Sequence, residues 1–336
     1  MIWLTWRQFR TQAAVVLGAL LLLGACLAVT GPGLAHDYAA RGGGAQGATD
    51  FLEQVDGTGT TLYLVGSLTV LLLPALLGMF WGAPLITREL DAGTHRLVWT
   101  HTGRTRWLAA KLGVVGLGAM AACGLTALAM TWWAAPIDRA TAALEGRPGP
   151  SVFTFARLHP LMFDMRGVAP FGYAAFAFLL GVTIGLLVRR TLPAMALLLA
   201  AFTLTQVFMA TSVRPHLMTP VSATAPIDAS HLTFVGRGGG VEVTVDEPGA
   251  WITSQHTVKD GRPTSPPSWV VDCPAQAREG SADCYGELAA QGYLQRVDYH
   301  PADRFWAFQW RETVLHLALA LALAGFCAWW LRGRAF

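Results

Sequence analysis

The sequence predicts an all-α polytopic membrane protein. It has six transmembrane helices, cytoplasmic N- and C-termini, and a mixed extracytoplasmic loop subdomain between helices 5 and 6. Three observations carry this. Only 13% of the 336 residues are charged while 53% are hydrophobic, against about 25% charged in a soluble domain. Six runs are long and apolar enough to cross a bilayer. On one side of those runs, 11 of the 24 basic residues gather with only two of the 21 acids. Such a composition excludes a freely soluble enzyme and a disordered chain, and a net charge of +3 gives no footprint for nucleic acid.

About 20 apolar residues in a helix cross the hydrocarbon core. The qualifying runs are Ala13–Thr30, Leu62–Ile86, Leu112–Ala135, Val168–Val188, Leu192–Thr211 and Thr313–Leu331. None contains Asp, Glu, Lys or Arg. Pro74 in the second run predicts a kink. Runs four and five are joined by Arg189-Arg190-Thr191 alone, with Pro193 in the first turn of the next helix.

Positive charge near span ends sets orientation. Arg7, Arg10, Arg88, Arg96, Arg104, Arg106, Lys111, Arg189, Arg190, Arg332 and Arg334 share one side with only two acids, Glu89 and Asp91. That side is read as cytoplasmic. Trp132, Trp133, Trp306, Trp310, Trp329 and Trp330 stand where an interfacial aromatic belt is expected. Read instead as a secretory signal, the first run would have Gly33-Leu34-Ala35 as a poor cleavage site, leaving the other spans oriented as before.

The chain divides accordingly. Residues 1–12 place Trp3, Trp6, Arg7 and Arg10 at helical spacing, an interfacial amphipathic helix or an extension of the first span. Residues 13–211 hold helices 1–5 and the cytoplasmic loop 87–111. Residues 212–312 form the extracytoplasmic subdomain, and 313–336 the last span and tail. The other outer loops are a Gly-rich segment, 31–61, and a Pro-rich irregular one, 136–167. Within 212–312, short strands are expected over His231–Val235, Val241–Val245 and Trp251–Val258, with weak helix over Gly286–Arg296. Pro301–Glu312 reads as a helix on the outer membrane surface. Cys26, Cys123 and Cys327 lie in spans as small apolar residues. Cys273 and Cys284 lie in the outer loop, a disulfide candidate in an oxidising compartment, with free thiols or a metal pair as the alternative. No zinc set completes them, and no metal is expected.

Catalysis and proton relays inside a membrane need ionisable groups. The runs offer only His316, near an outer end and read as interfacial. No H-E-x-x-H, G-x-S-x-G or P-loop motif is present, so an enzyme is not expected. Ser67, Thr69, Thr126, Thr131, Thr183, Thr203, Thr205 and Gln206 are the mild polar groups of the spans. Thr69, Thr203 and Gln206 are candidates to line a translocation path. Gln206 is the costliest of them to leave in lipid; bonding to helix backbone or a neighbour is the alternative. Gly78-x-x-x-Gly82 and Gly181-x-x-x-Gly185 favour close helix approach.

Loop 87–111 is the most informative segment. Thr87–Asp91 can prolong the second helix, Gly93-Thr94 supplies a break and an N-cap, and His95–Trp99 can form a short helix. A short helix hung between two spans suits docking to a cytosolic partner. A plain basic loop is the alternative.

Here the sequence resembles a family. Arg88-Glu89, Gly93-Thr94, Thr100 or Thr102, Arg106 and Lys111 are similar to the second-to-third-helix loop of ABC-2 type transporter permeases. Tyr299-His-Pro-Ala-Asp-Arg-Phe-Trp306 resembles a subgroup from high-GC bacteria, consistent with 22 arginines against Lys111 and Lys259 alone. The chain departs from the pattern with His95 and Arg96, where many members carry an acidic residue after Gly-Thr. The resemblance implies a bacterial plasma-membrane permease subunit of an ATP-binding cassette exporter, without ATPase activity or a cofactor of its own. ATP and magnesium would sit on a separate ATPase subunit. Arg88, Glu89, Asp91, Gly93, Thr94, His95, Arg96, Leu97 and Trp99 would couple to that subunit. A second six-helix half, identical or not, would complete the path. The size of loop 212–312 also admits a membrane-anchored sensor or accessory protein that binds a ligand or envelope partner there.

Overall fold

The computed structural model describes residues 2–41, 44–55, 57–85, 87, 104–144, 153, 155–227, 232–235, 241–243, 245, 247–272 and 282–333. Six helices among them are long and apolar enough to cross a membrane, and a small antiparallel sheet lies between the fifth and sixth.

Helix α1, Ile2–Arg41, is continuous, so residues 2–12 are the first part of the same helix that holds the first span. The expected loop 31–61 is largely helical instead. Ala35, Ala39 and Ala40 are good helix formers, and Leu34 and Tyr38 find partners on α2, Ala45–Gln54. Tyr38 meets Phe51 edge-on at 5.3 Å, and Ala48, Phe51 and Leu52 form the buried face of α2. Helix α3, Gly57–Leu77, passes into a π-helical turn at Gly78–Gly82. Thus the irregularity expected from Pro74 lies one turn after it.

Helix α4, Arg104–Ala143, runs through Pro136. Its 40 residues span about 60 Å, far more than the hydrocarbon core. The expected irregular outer segment therefore begins only after Ala143. A single turn, α5 at Pro160–Phe163, precedes α6, Ala169–Val188. Arg189 turns the chain in the left-handed conformation (φ 57°). Helix α7, Thr191–Phe208, ends in a π-helical turn at Met209–Val213.

Helix α6 is the centre of the bundle and packs on α3, α4, α7 and the last helix. The two small-residue motifs meet there. A methyl at Gly181 would stand 2.5 Å from the Gly78 carbonyl oxygen, and one at Gly185 2.5 Å from that of Ala83. From the other side, Gly82 faces the Phe178 carbonyl and Gly78 that of Ala177. Backbone lies on backbone, which only glycine permits.

The subdomain after α7 has strands β1 Val221–Pro226, β2 Leu232–Val235, β3 Val241–Val243, β4 Trp251–Lys259, β5 Arg262–Pro263 and β6 Tyr293–His300. Four form an antiparallel sheet in the order β1-β6-β4-β5, and β2 and β3 form a separate hairpin. The Gln255 amide bonds both the N–H and the C=O of Val243, while Gln295 donates to the Val241 carbonyl. These two side chains pin the hairpin to the sheet. Beneath them Ile227, Val243, Val270, Leu288 and Val297 make a small core. The expected helix over 286–296 is instead α8, Ala282–Ala290, followed by β6. The Cys273–Cys284 pair lies outside the described residues as a bond.

Helix α9, Phe305–Gly333, runs straight from the sheet into the last span. No separate surface helix precedes it, because Phe305 and Phe308 are buried while Trp306 and Trp310 stay exposed. Trp132 and Trp329 are also exposed. Trp133 is not part of a belt: it is buried and its Nε1 donates to Thr30 Oγ1 at 2.9 Å.

Candidate functional site

Charged side chains cluster inside the sheet end of the bundle, just beyond the apolar runs. Arg214 leaves the end of α7 and is 1% exposed. Its Nε donates to Glu312 Oε2 at 2.8 Å and its Nη2 to Glu312 Oε1 at 2.8 Å. This is the two-pronged fork that makes Arg–carboxylate pairs strong. The same Nη2 reaches Asp164 Oδ1, Nη1 donates to the Pro160 carbonyl at 3.2 Å, and the guanidinium covers the Phe163 ring.

Tyr173 Oη stands between the two carboxyl groups, 2.9 Å from Asp164 Oδ1 and 2.7 Å from Glu312 Oε1. A phenol brings one hydrogen, and these two contacts need two. A protonated carboxyl group would supply the second. Glu312 receives the fork and is fully buried. Burial pushes the Asp164 carboxyl above the ordinary 3.8, more than Arg214 pulls it down.

His316, one turn along α9 from Glu312, is fully buried rather than interfacial. Its Nδ1 lies 3.0 Å from the Glu312 carbonyl and its Nε2 3.1 Å from Gln206 Oε1. Gln309 accepts from the Ala169 N–H and donates to the Phe163 carbonyl. A side chain at Gly167 (φ 74°) would collide with it.

A second cluster ties α3 to α4. Arg166, 0% exposed, pairs with Asp138 at 3.3 Å, donates to Ser67 Oγ at 3.1 Å and lies over the Tyr63 ring. The Gly167 N–H donates to Thr131 Oγ1 at 2.7 Å. Both clusters lock helix ends together.

Of the sequence-derived coupling residues, Arg88, Glu89, Asp91, Gly93, Thr94, His95, Arg96, Leu97 and Trp99 all lie outside the described residues. Thr69 is half-buried on α3 and donates to the Val65 carbonyl. Gln206 is half-buried against His316, and Thr203 is exposed one turn before it on α7. None of the three lines the two clefts beside α1. Thr126, Thr131, Thr183 and Thr205 donate to carbonyls of their own helices.

Sequence reasoning missed Asp138, Asp164, Arg166, Arg214 and Glu312. It treated each charge at the edge of an apolar run as the start of a loop. One signal pointed to them: Gln309, Glu312 and His316 share a helical face, and that stripe continues through Ala320 and Cys327, all buried.

The model of the ABC-2 membrane transporter related family matches residues 17–214. The chain belongs to this family. The match covers the first five spans and ends on Arg214, at the root of the sheet subdomain. No curated protein and no solved structure matches the chain significantly. Members of the ABC-2 membrane transporter related family are multi-span membrane proteins, and the six apolar helices here agree with that.

Proposed function

We propose that this ABC-2 family chain is the permease subunit of an ATP-binding cassette exporter in a bacterial plasma membrane. It pairs with a second six-helix half and is driven by a separate ATPase subunit that carries ATP and magnesium. The observation that carries the reading is the family match, whose bounds, 17–214, take in loop 87–111 between the second and third spans. Placing the basic loops inside puts loop 87–111 in the cytoplasm and the sheet subdomain outside. Gly93–Trp99 then acts as a coupling helix. Closure of the ATPase pair pushes on it and rocks the helical halves.

Purification of the full chain from native membranes tests this. A P-loop ATPase is expected to accompany it. Arg96→Glu or Gly93→Pro is expected to separate ATP hydrolysis from export while the six spans remain inserted. Export at full rate by the chain alone in ATP-free vesicles would overturn the proposal.

A further inference from the structure

Between the sheet-side ends of α1, α2 and α3 lies a cleft of about 480 Å³. One part of its lining is polar: Asp37 and Arg41 from α1, Gln54 from α2 and Thr58 from α3. The other part is apolar, with Val29, Leu34 and Leu62 among its residues. Helices α1 and α3 both pack on α4 and scarcely touch each other, so the cleft opens between them.

Its depth in a bilayer follows from helix geometry. A 30 Å hydrocarbon core takes about 20 helical residues, so a span beginning at Ala13 leaves the hydrocarbon near Gly33. Asp37 and Arg41 then lie about one and two turns beyond, at headgroup level. Arg41 bends back toward the membrane: its Nη1 donates to the Asp37 carbonyl at 2.7 Å. The Asp37 carboxylate has no ion pair or hydrogen bond among the described residues. Val29, 81% exposed, faces the lipid below.

We propose that this cleft binds a phospholipid whose headgroup carries a primary ammonium, of the ethanolamine class. The phosphate needs a donor and a positive charge, which Arg41 supplies. The ammonium needs acceptors, which the Asp37 carboxylate, one turn before Arg41 on α1, and the Gln54 side-chain carbonyl on α2 supply. The acyl chains leave past Val29 and Leu62 into the hydrocarbon. Choline fits poorly. It has no N–H for Asp37, and Phe51 and Trp133, each 1% exposed, offer no open ring faces for a cage. A headgroup with a net negative charge brings no cation for Asp37, because Arg41 is already matched to the phosphate.

Native mass spectrometry of the full chain in detergent tests this with added dioleoyl phosphatidylethanolamine, phosphatidylcholine and phosphatidylglycerol. The ethanolamine lipid is expected to stay bound preferentially. Arg41→Gln is expected to weaken it about tenfold or more, the weight of one charge-assisted bond. Asp37→Asn is expected to erase the preference over phosphatidylcholine. Thr58→Trp fills the cleft with both charges intact and is expected to abolish binding. Equal retention of the three lipids, or unchanged retention in all three variants, would overturn the proposal. Soluble O-phosphoethanolamine displacing the lipid at equal concentration would overturn the assignment to a lipid.

Discussion

The proton count at Tyr173 makes an asymmetric prediction for two carboxyl groups that touch the same phenol. Glu312 is the charged partner of Arg214, so Glu312→Gln breaks a buried pair and leaves the guanidinium uncompensated. That costs about 3–5 kcal/mol. With the proton on Asp164, Asp164→Asn exchanges one uncharged donor–acceptor group for another of similar shape and costs less than about 1 kcal/mol. Arg214→Met leaves Glu312 buried and unpaired, a loss again of about 3–5 kcal/mol. Adding Glu312→Gln to Arg214→Met removes the stranded charge, so the double variant is expected to lose much less than the sum of the singles. Denaturant unfolding of the detergent-solubilised chain, read by far-UV circular dichroism, measures all four. The pH dependence has a definite sign. A carboxyl whose folded value is raised gives the folded state the tighter hold on its proton. Stability therefore falls as pH rises from the ordinary 3.8 to the higher folded value, and levels off beyond it. Asp164→Asn is expected to remove that slope. Equal losses for Asp164→Asn and Glu312→Gln, with the slope unchanged, would refute the proton assignment.

Other tests follow from the packing. Gly181→Ala puts a methyl against the Gly78 carbonyl and is expected to destabilise the chain by about 1–3 kcal/mol, measured by the same unfolding. Gly18→Ala, where nothing stands within 4 Å, is the neutral control. In the sheet, Asp298 accepts from Ser222 and Ser254, and these bonds hold its carboxyl below the ordinary 3.8. The stability they add is present above the ordinary value and is lost as pH falls through the lowered one. Ser222→Ala with Ser254→Ala is expected to raise the Asp298 value, read from its side-chain carboxyl resonance in labelled protein. Trp133→Phe shrinks the buried bicyclic side chain to a single ring and loses the bond to Thr30, and is expected to cost about 1–3 kcal/mol.

The legible part of the fold was what burial in lipid dictates. Apolar run length marks spans, and the paired glycine motifs marked the seam where Gly78 and Gly82 meet Gly181 and Gly185. Strands β2, β3 and β4 followed from β-branched residues between Gly and Pro breaks. The helical extensions were not legible in the same way, because run length reports hydrocarbon and not helix. Gly33 to Arg41 is helical because Leu34 and Tyr38 pack on a second short helix, a tertiary contact absent from local pattern. Strand β6 carries Gln295, Arg296 and Asp298, and needs neighbours β1 and β4 to become a strand at all. The buried charges were hidden for a related reason: a charge beyond an apolar run reads as solvated until a partner from another helix neutralises it. Arg214 and Glu312 are 98 residues apart, a separation no local rule spans.

That separation also explains how a bundle can carry so large an excursion. The chain leaves α7 at Arg214 and returns on α9 at Glu312, and the fork between them closes the root. His300 meets the Pro215 carbonyl at 3.1 Å, Arg304 the Thr219 carbonyl at 2.7 Å, and Arg311 the Leu217 carbonyl. These bonds reinforce the neck just above. The bundle is therefore clamped at its own end and does not rely on the sheet to hold α7 and α9 together. Replacing residues 220–301 with a linker of about ten Gly and Ser residues tests this. Loop closure favours the shorter connection, by about 0.6 kcal/mol for each halving of length. Against that stands the loss of Trp251 and His300 from their places beside Phe308, which exposes one aromatic face worth about 1.5–3 kcal/mol. The two nearly cancel, so the shortened chain is expected to insert six spans and unfold within about 2 kcal/mol of the full one. Combining the deletion with Arg214→Met should cost as much as Arg214→Met alone does in the full chain. A shortened chain that fails to fold, with the fork residues intact, would show that the sheet itself holds the two helices together.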